Sequence, residues 1–509
     1  MKPALVFIGF MGAGKSTALA AASAAGLETI ETDELLKGRI GMSIPQYFEE
    51  SGEASFRKLE AEVVGSLLEE AGGGAIALGG GSVSSDRVRD ALRRHLVVWL
   101  QVDAIQAWQR ISRSDRPLAS SRAEVEQLFE QRLPLYAGLA DAVLPPGDRG
   151  MIVRAMPSLL ALTELPAATK MTWAASASGE YPVFVGPGLL GAGQWPLVGR
   201  RFCITDRSVG ALYAERVEPL AGRVEVEPGE SAKTMAEAER VLRELARAGM
   251  TREDHAVALG GGVVGDLAGF CAHLYQRGVA VVQAPTTLVA QVDSAYGGKT
   301  GVDLPEGKNY AGAYQLPAAV LADTSTLASL PAEELAAGFI EALKTGLLAG
   351  GDLWEQARTL DALDPDRLAD LVFACALYKC EVVAADERDA GLRAVLNLGH
   401  TVGHAIEAAS GYRRYRHGEA IGLGLLAALR LSEAPQLRDE VEAILSRHGL
   451  PVALDPAVDL DETLEALQRD KKRTAEGVGF VLLSEPGAPR IGELVDPVKV
   501  RAAVEELYR

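Results

Sequence analysis

Gly9-Phe10-Met11-Gly12-Ala13-Gly14-Lys15-Ser16 fits the pattern GxxxxGK[ST] and is followed by Thr17. Glycines at this spacing let backbone N–H groups turn inward round phosphate oxygens, and a helix beginning there adds the positive end of its dipole. Lys15 then reaches the β- and γ-phosphates and the Ser16 hydroxyl holds Mg²⁺, with Gly12, Ala13, Gly14 and Thr17 completing the cradle. Downstream stand Glu31-Thr32-Asp33, Arg57, Gly79-Gly80-Gly81, Arg113 to Arg116 and Arg132. Asp accepts from hydroxyls and Arg forks hold carboxylates, so this set suits a small polyol acid. Taken singly, Arg57 and Arg132 read as solvated arginines and the Gly triplet as a plain turn.

A second constellation lies in the C-terminal part. Three of the seven histidines, His400, His404 and His417, fall close together, and the first two are spaced i, i+4 on one helix face. With a carboxylate from elsewhere they suit a zinc site with an open position; from spacing alone they read equally as helix-surface histidines. Upstream, Gly260-Gly261-Gly262-Val263-Val264-Gly265-Asp266 follows an apolar run, as close backbone approach to a pyrophosphate requires. Pro285-Thr286-Thr287 adds hydroxyls. Lys299 and Lys308 sit beside glycines, and Lys344, Lys379 and Arg393 to Asn397 follow. Such cations converge on a substrate carrying both phosphate and carboxylate.

The elements that must position these groups are read from periodicity. The chain has 509 residues, 48% hydrophobic and 24% charged, which is globular and gives a prior of about three domains. Its net charge of −18 argues against nucleic acid as a partner. Four cysteines without a CxxC pair read as buried thiols. No secretory signal and no membrane-length apolar run are seen, so a soluble cytoplasmic protein is expected, with no membrane partner. Apolar runs Leu5–Ile8, Leu27–Glu31, Ala75–Leu78 and Leu96–Leu100 alternate with helical patterns, the signature of an α/β fold with a parallel sheet. A linker-like stretch runs from Leu165 to Lys170. A second α/β unit follows, with strands at Phe202–Thr205, Ala256–Leu259 and Val279–Gln283. From about Pro331 helical periodicity dominates until Val478–Leu483. Expected segments are 1–168, 171–330 and 331–509.

Over residues 1–165 these motifs resemble shikimate kinase. The resemblance implies ATP with Mg²⁺ as cofactor, and shikimate held by Asp33, Arg57, Gly80 and Arg132. It also implies a lid carrying Arg116 and an Asp33 that orients the attacking hydroxyl. Glu31 departs from the family's Asp-x-Asp, whose first acid supports Mg²⁺ through water.

From about 171 to 509 the chain resembles 3-dehydroquinate synthase. The resemblance is carried by Gly260–Asp266, Pro285–Leu288, Gln291–Ser294, Gly297–Gly301, Gly307–Asn309, Glu341–Gly346, Asp386–Arg388, Leu396–Glu407, His417–Ala420 and Asp470–Lys472. It implies a Rossmann-like NAD-binding α/β domain followed by a mainly helical metal-binding domain. Zn²⁺ or Co²⁺ would be held by Glu341, His400 and His417, leaving His404 to contact substrate or carry a proton. NAD⁺ would lie on Glu230, Lys233, Gly261, Gly262, Val263, Val264, Gly265, Asp266, Thr286, Thr287, Lys299, Lys308, Thr326 and Leu327. The substrate, 3-deoxy-D-arabino-heptulosonate 7-phosphate, would meet Asp293, Lys299, Asn309, Lys344, Lys379, Arg393, Asn397 and one of Lys471 and Lys472. A homodimer through this half is the assembly considered. Asp389 and Tyr296 depart from the family's usual residues. A related sugar-phosphate cyclase and a polyol dehydrogenase are the alternatives; the second has no use for so many anion-binding cations.

Overall fold

The computed structural model describes residues 2–111, 121–468, 473–474 and 477–508. The chain divides into two compact units, Met1–Ala174 and Ala175–Arg509. Among the described residues no helix is long and apolar enough to cross a membrane. The four cysteines are buried free thiols.

In the first unit, strands β1 (Leu5–Ile8), β2 (Thr29–Glu31), β3 (Ala75–Ala77), β4 (Leu96–Leu100), β5 (Ala142–Leu144) and β6 (Lys170–Ser176) lie in the order β2-β3-β1-β4-β5-β6. Pairs from β2 through to the β5–β6 contact are parallel. β1, β3, β4 and β5 are buried along their whole length, which is why they read as unbroken apolar runs. The strand expected at Leu27–Glu31 is shorter, and Asp33 falls in the first turn of the helix Thr32–Ile40.

In the second unit, β7 (Gly179–Gly186), β8 (Arg201–Asp206), β9 (Gly222–Val226), β10 (His255–Gly260), β11 (Ala280–Pro285) and β14 (Ala319–Asp323) form a sheet in the order β7-β14-β11-β10-β8-β9, its pairs parallel. β12 (Lys299–Leu304) and β13 (Gly307–Tyr314) make an antiparallel hairpin. The core beside β8 to β10 includes Phe202, Ile204, Val224, Val241, Leu245 and Leu267. After Pro331 come the helices Ala332–Ala349, Pro365–Ala385, His400–Ala409 and His417–Leu431. Ligands of open parallel sheets bind beyond the carboxyl ends of the strands, where Gly9–Ser16 follows β1 and Gly260–Asp266 follows β10.

Candidate active sites

In the first unit the loop after β1 turns on Gly9, Gly12 and Gly14, with φ of 146°, 80° and 97°. A Cβ on Gly9 would stand 2.5 Å from the Leu100 carbonyl oxygen, so glycine is required there. Lys15 Nζ lies across the loop, donating to the carbonyls of Gly9 and Phe10 at 2.8 and 3.1 Å. Gly12, Gly14, Lys15, Ser16, Thr17, Glu31, Asp33 and Gly80 line one cleft. The Ser16 hydroxyl donates to Glu31 Oε1 at 2.8 Å, so this acid stands in direct reach of the loop's hydroxyl. Thr32 staples the acidic pair in place: its hydroxyl donates to the Ala77 carbonyl and accepts from Gly79 N.

The two arginines are built in different ways. Arg57 Nη1 donates to Glu60 Oε2 at 2.6 Å, and the Ser82 hydroxyl holds the other Glu60 oxygen at 2.7 Å. Arg132 is buried, and burial lowers its hold on its proton. Thr32, Glu60 and Arg110, which donates to the Gly12 carbonyl at 2.7 Å, carried no sequence signal. Arg116, with Arg113, lies outside the described residues.

In the second unit three helices converge through glycines. On His417–Leu431, a Cβ at Gly418 would sit 1.9 Å from the Ala337 carbonyl oxygen, and one at Gly424 would sit 2.0 Å from that of Gly399. Backbones therefore touch, and Glu341, His400 and His417 meet. Glu341 Oε1 is 3.6 Å from His400 Nε2 and 3.4 Å from His417 Nε2. His404 offers a nitrogen within 4.8 Å of its two neighbours'.

Whether these residues fit a metal is decided by their outer partners. His400 Nδ1 lies 3.1 Å from the Leu398 carbonyl, an oxygen that only accepts; the proton is on Nδ1 and Nε2 is bare. His417 Nδ1 lies 3.3 Å from Glu407 Oε2, which orients that ring in the same way. Glu341 Oε2 accepts from Lys344, while buried Oε1 has no well-formed hydrogen bond. Tetrahedral ligands about 2.0–2.1 Å from a zinc ion stand roughly 3.4 Å apart, close to the separations seen. The site fits a divalent cation. Burial works to raise Glu341, yet Lys344, His400 and His417 hold it well below the usual carboxylate range. Burial and Lys344 keep His400 neutral. Burial opposes the His417 proton, but Glu341 and Glu407 raise it to about 10.

Beside this centre Asp266, Asp293, Lys299, Asn309, Lys379 and Arg393 line one pocket. The cations of this pocket, and Lys344 beside Glu341, are each engaged by protein oxygens. Lys379 pairs with Asp293 at 2.6 Å, Lys299 with Asp389 at 2.5 Å, and Lys344 with Glu341 at 2.5 Å. Arg393 donates to the carbonyls of Glu387 and Gly297. The expected convergence is present, but with a carboxylate on each lysine, a pairing that type and spacing gave no means of reading. Asp389, with φ 60°, is thus the counter-ion of Lys299. Tyr296 is fully buried, and its hydroxyl donates to the Gln291 carbonyl at 2.5 Å, bracing the π-helical turn Ala290–Ser294 that carries Asp293. Asn397 Nδ2 donates to the Ala394 carbonyl.

The Gly-rich turn after β10 opens directly into the helix Gly262–Leu274, which contains Val263, Val264, Gly265 and Asp266. A Cβ on Gly261 would lie 2.8 Å from Thr287. Thr286 Oγ1 is buried without a hydrogen bond, an orphan beside the glycine turn that a dinucleotide would satisfy. Asp266 pairs with Lys233 at 2.6 Å, with Glu230 3.8 Å from the same ammonium. Burial, only partly offset by Lys233, lifts Asp266 to about 6. Thr326 and Leu327 are in the core; the Thr326 hydroxyl donates to the Asp323 carbonyl, and the Thr326 carbonyl accepts from Tyr213 and Ser329. Lys308 stacks over Tyr412 and stands 3.7 Å from Glu407. Asp206, capping a helix at the end of β8, was not singled out by sequence. Lys471 and Lys472 lie outside the described residues.

The architecture is that of a P-loop phosphotransferase joined to a dinucleotide-binding unit with a histidine–carboxylate metal centre. Shikimate kinase matches residues 11–154, 3-dehydroquinate synthase N-terminal matches 223–337, and 3-dehydroquinate synthase C-terminal matches 338–473. The 3-dehydroquinate synthase of Symbiobacterium thermophilum is 41% identical over 353 residues, covering 65% of this chain and 98% of that protein. Among solved structures, 2-deoxy-scyllo-inosose synthase complexed with carbaglucose-6-phosphate, NAD⁺ and Co²⁺ superimposes with a TM-score of 0.60 at 26% identity, covering 66% of this chain and all of that one. ValA, the 2-epi-5-epi-valiolone synthase of Streptomyces hygroscopicus subsp. jinggangensis with NAD⁺ and Zn²⁺ bound, gives 0.57 at 27% identity, covering 64% and 96%. The chain belongs to the 3-dehydroquinate synthase family and carries an N-terminal shikimate kinase domain. It is a bifunctional enzyme of the shikimate pathway, a kinase and a phosphate lyase.

Proposed function

We propose that the kinase site transfers the γ-phosphoryl of Mg²⁺-bound ATP to the 3-hydroxyl of shikimate. Lys15 and the loop N–H groups hold the phosphates, and Ser16 with Glu31 holds the cation. Asp33 accepts the hydroxyl proton, and Arg57, Arg132 and Gly80 bind the carboxylate end; Arg116 completes this set. Catalysis here is positioning plus charge stabilisation, which is why the site is mostly cations and backbone donors.

In the second unit, we propose that Glu341, His400 and His417 hold Zn²⁺ or Co²⁺. The glycine turn, Glu230, Lys233, Asp266, Thr286, Thr287 and Lys308 hold NAD⁺. When bound, the metal supplies Lewis acidity and the dinucleotide reversible oxidation of a substrate hydroxyl. Lys299, Lys379, Arg393, Asn309 and Asn397 bind the phosphate and carboxylate of the heptulosonate phosphate, and Asp293 orients its hydroxyls. Lys344 keeps Glu341 ionised, and His404, exposed at the centre's edge, moves substrate protons. The product is 3-dehydroquinate plus phosphate. The observation that carries this reading is the bare Glu341 Oε1 facing two imidazole nitrogens, each turned toward it by an outer partner.

The same reading divides the second unit near residue 330 and expects a cytoplasmic protein and a homodimer through the synthase half, which light scattering would test. A phosphate-release assay on the heptulosonate phosphate, with and without NAD⁺ and chelator, tests the synthase: release should need both cofactors. Lys15→Ala should end shikimate phosphorylation and leave phosphate release intact. Release without NAD⁺, or full activity in verified metal-free protein, would sink the assignments.

A further inference from the structure

We infer that Tyr136 is a positioning residue of the kinase site, its hydroxyl holding the Gly80 carbonyl beside Arg132 and so fixing the donors offered to the shikimate carboxylate. The inference rests on the kinase reading above.

Arg132 and Tyr136 are spaced i, i+4 on the helix Arg122–Leu139 and therefore share one face. Both are buried, at 6% and 1% exposure. Tyr136 Oη donates to the Gly80 carbonyl at 2.6 Å. Arg132, one helical turn earlier on the same face, bears on the same hydroxyl through its charge. A phenol has one proton, and here it goes to Gly80.

That hydrogen bond sets a direction. The Gly80 carbonyl and the Gly81 N–H belong to one planar trans peptide and point opposite ways. Holding the carbonyl toward Tyr136 turns the Gly81 N–H away from it. Arg57 lies against the same glycine: a Cβ at Gly81 would stand 2.4 Å from Arg57 Nη1. Two arginines and one peptide, the groups that grip a carboxylate, thus meet at a point that Tyr136 braces from behind. Besides Tyr136, the groups acting on the Arg132 charge are Arg57, of like sign, and more weakly Glu60. That leaves the positive charge for an incoming anion.

The ring is anchored independently of its hydroxyl. It stacks on Trp99 of β4, with centroids 6.4 Å apart and planes 26° apart. Burial, only partly offset by Arg132, raises the phenol to about 12, so it remains a donor throughout the working pH range. Tyr136→Phe therefore removes the hydrogen bond to Gly80 while keeping the ring.

The test uses the full-length chain. Tyr136→Phe should raise KM for shikimate about 5–15-fold, the worth of roughly one positioning hydrogen bond. KM for ATP, kcat and phosphate release by the synthase half should stay within about twofold. Arg132→Lys should also raise KM for shikimate, and the double variant should fall well short of the product of the two effects. Shikimate methyl ester, lacking the carboxylate charge, should show the same KM with both proteins. If Tyr136→Phe melts low, Trp99 fluorescence titration with shikimate on the folded fraction gives the affinity directly. An unmoved KM and affinity for shikimate, a parallel rise in KM for ATP, or multiplicative effects in the double variant would overturn the inference alone. Failure of the unaltered protein to phosphorylate shikimate would overturn the kinase reading and this inference with it.

Discussion

Gly424→Ala tests what brings the metal ligands together. The added methyl would stand 2.0 Å from the Gly399 carbonyl oxygen and 2.8 Å from Gly403 N. Both are backbone atoms, so no rotamer change relieves the clash. Real contacts of this kind stay beyond 3.0 Å, so the helices His400–Ala409 and His417–Leu431 must part by at least about 1 Å. His400 stands on one helix and His417 on the other, with Glu341 Oε1 at 3.6 and 3.4 Å from their nitrogens. Metal–ligand distances tolerate only about 0.2 Å. We expect zinc affinity to fall more than about 100-fold and stability to drop roughly 1–3 kcal/mol, the usual cost of overpacking. Gly422→Ala on the same helix is the control. Its methyl would meet Leu445 and Ile340 at 3.4 and 3.6 Å, ordinary contact. It should be neutral or stabilising by up to about 1 kcal/mol, since Ala favours helix over Gly. The assay is zinc titration against a chromophoric chelator, with thermal melts, and with shikimate phosphorylation as the internal reference. Wild-type zinc affinity in a folded Gly424→Ala protein would refute the argument that backbone contact sets the ligand geometry.

Other outcomes follow from single contacts. Glu407→Ala removes the acceptor at His417 Nδ1 and should weaken zinc binding about 10–100-fold, measured by titration. Asp389→Asn removes the counter-ion of Lys299, so KM for the heptulosonate phosphate and the inhibition constant of inorganic phosphate should both fall severalfold in steady-state assays; an increase would mean that Asp389 aids binding. His255 is held down to about 4 by burial and by Arg201, and Trp195 donates to its Nε2 at 2.7 Å. Its folded value lies below the unfolded 6.5, so the unfolded chain takes up the proton first. Stability from this group is therefore present above about pH 6.5 and is lost as pH falls toward 4, roughly 2 kcal/mol of it by about pH 5. Urea unfolding followed by tryptophan fluorescence at pH 7.5 and 5 should show this loss, and His255→Gln should remove it.

Much of this chain was legible because its signals are local. The phosphate loop works through consecutive glycines and the helix they start, so Gly9–Ser16 announces itself in eight residues. β1 and β4 appear at the expected bounds because fully buried parallel strands must be apolar throughout. His400 and His404 share a face by helix geometry alone. β6 and β7 were not read, although their buried centres, from Met171 to Ala174 and Tyr181 to Gly186, resemble the strands that were; polar ends and a Thr172 and Pro182 within them broke the pattern. Tertiary structure decided everything that depends on pairing across the chain. Which acid meets the histidines, which carboxylate holds each lysine, and that Tyr136 reaches the Gly80 carbonyl follow from helix crossings and sheet order. Those crossings are set by atoms absent as much as present: at Gly418 and Gly424 the missing Cβ lets backbones touch. A glycine in a helix looks the same in sequence whether it faces solvent or a carbonyl 2.0 Å from where its methyl would be.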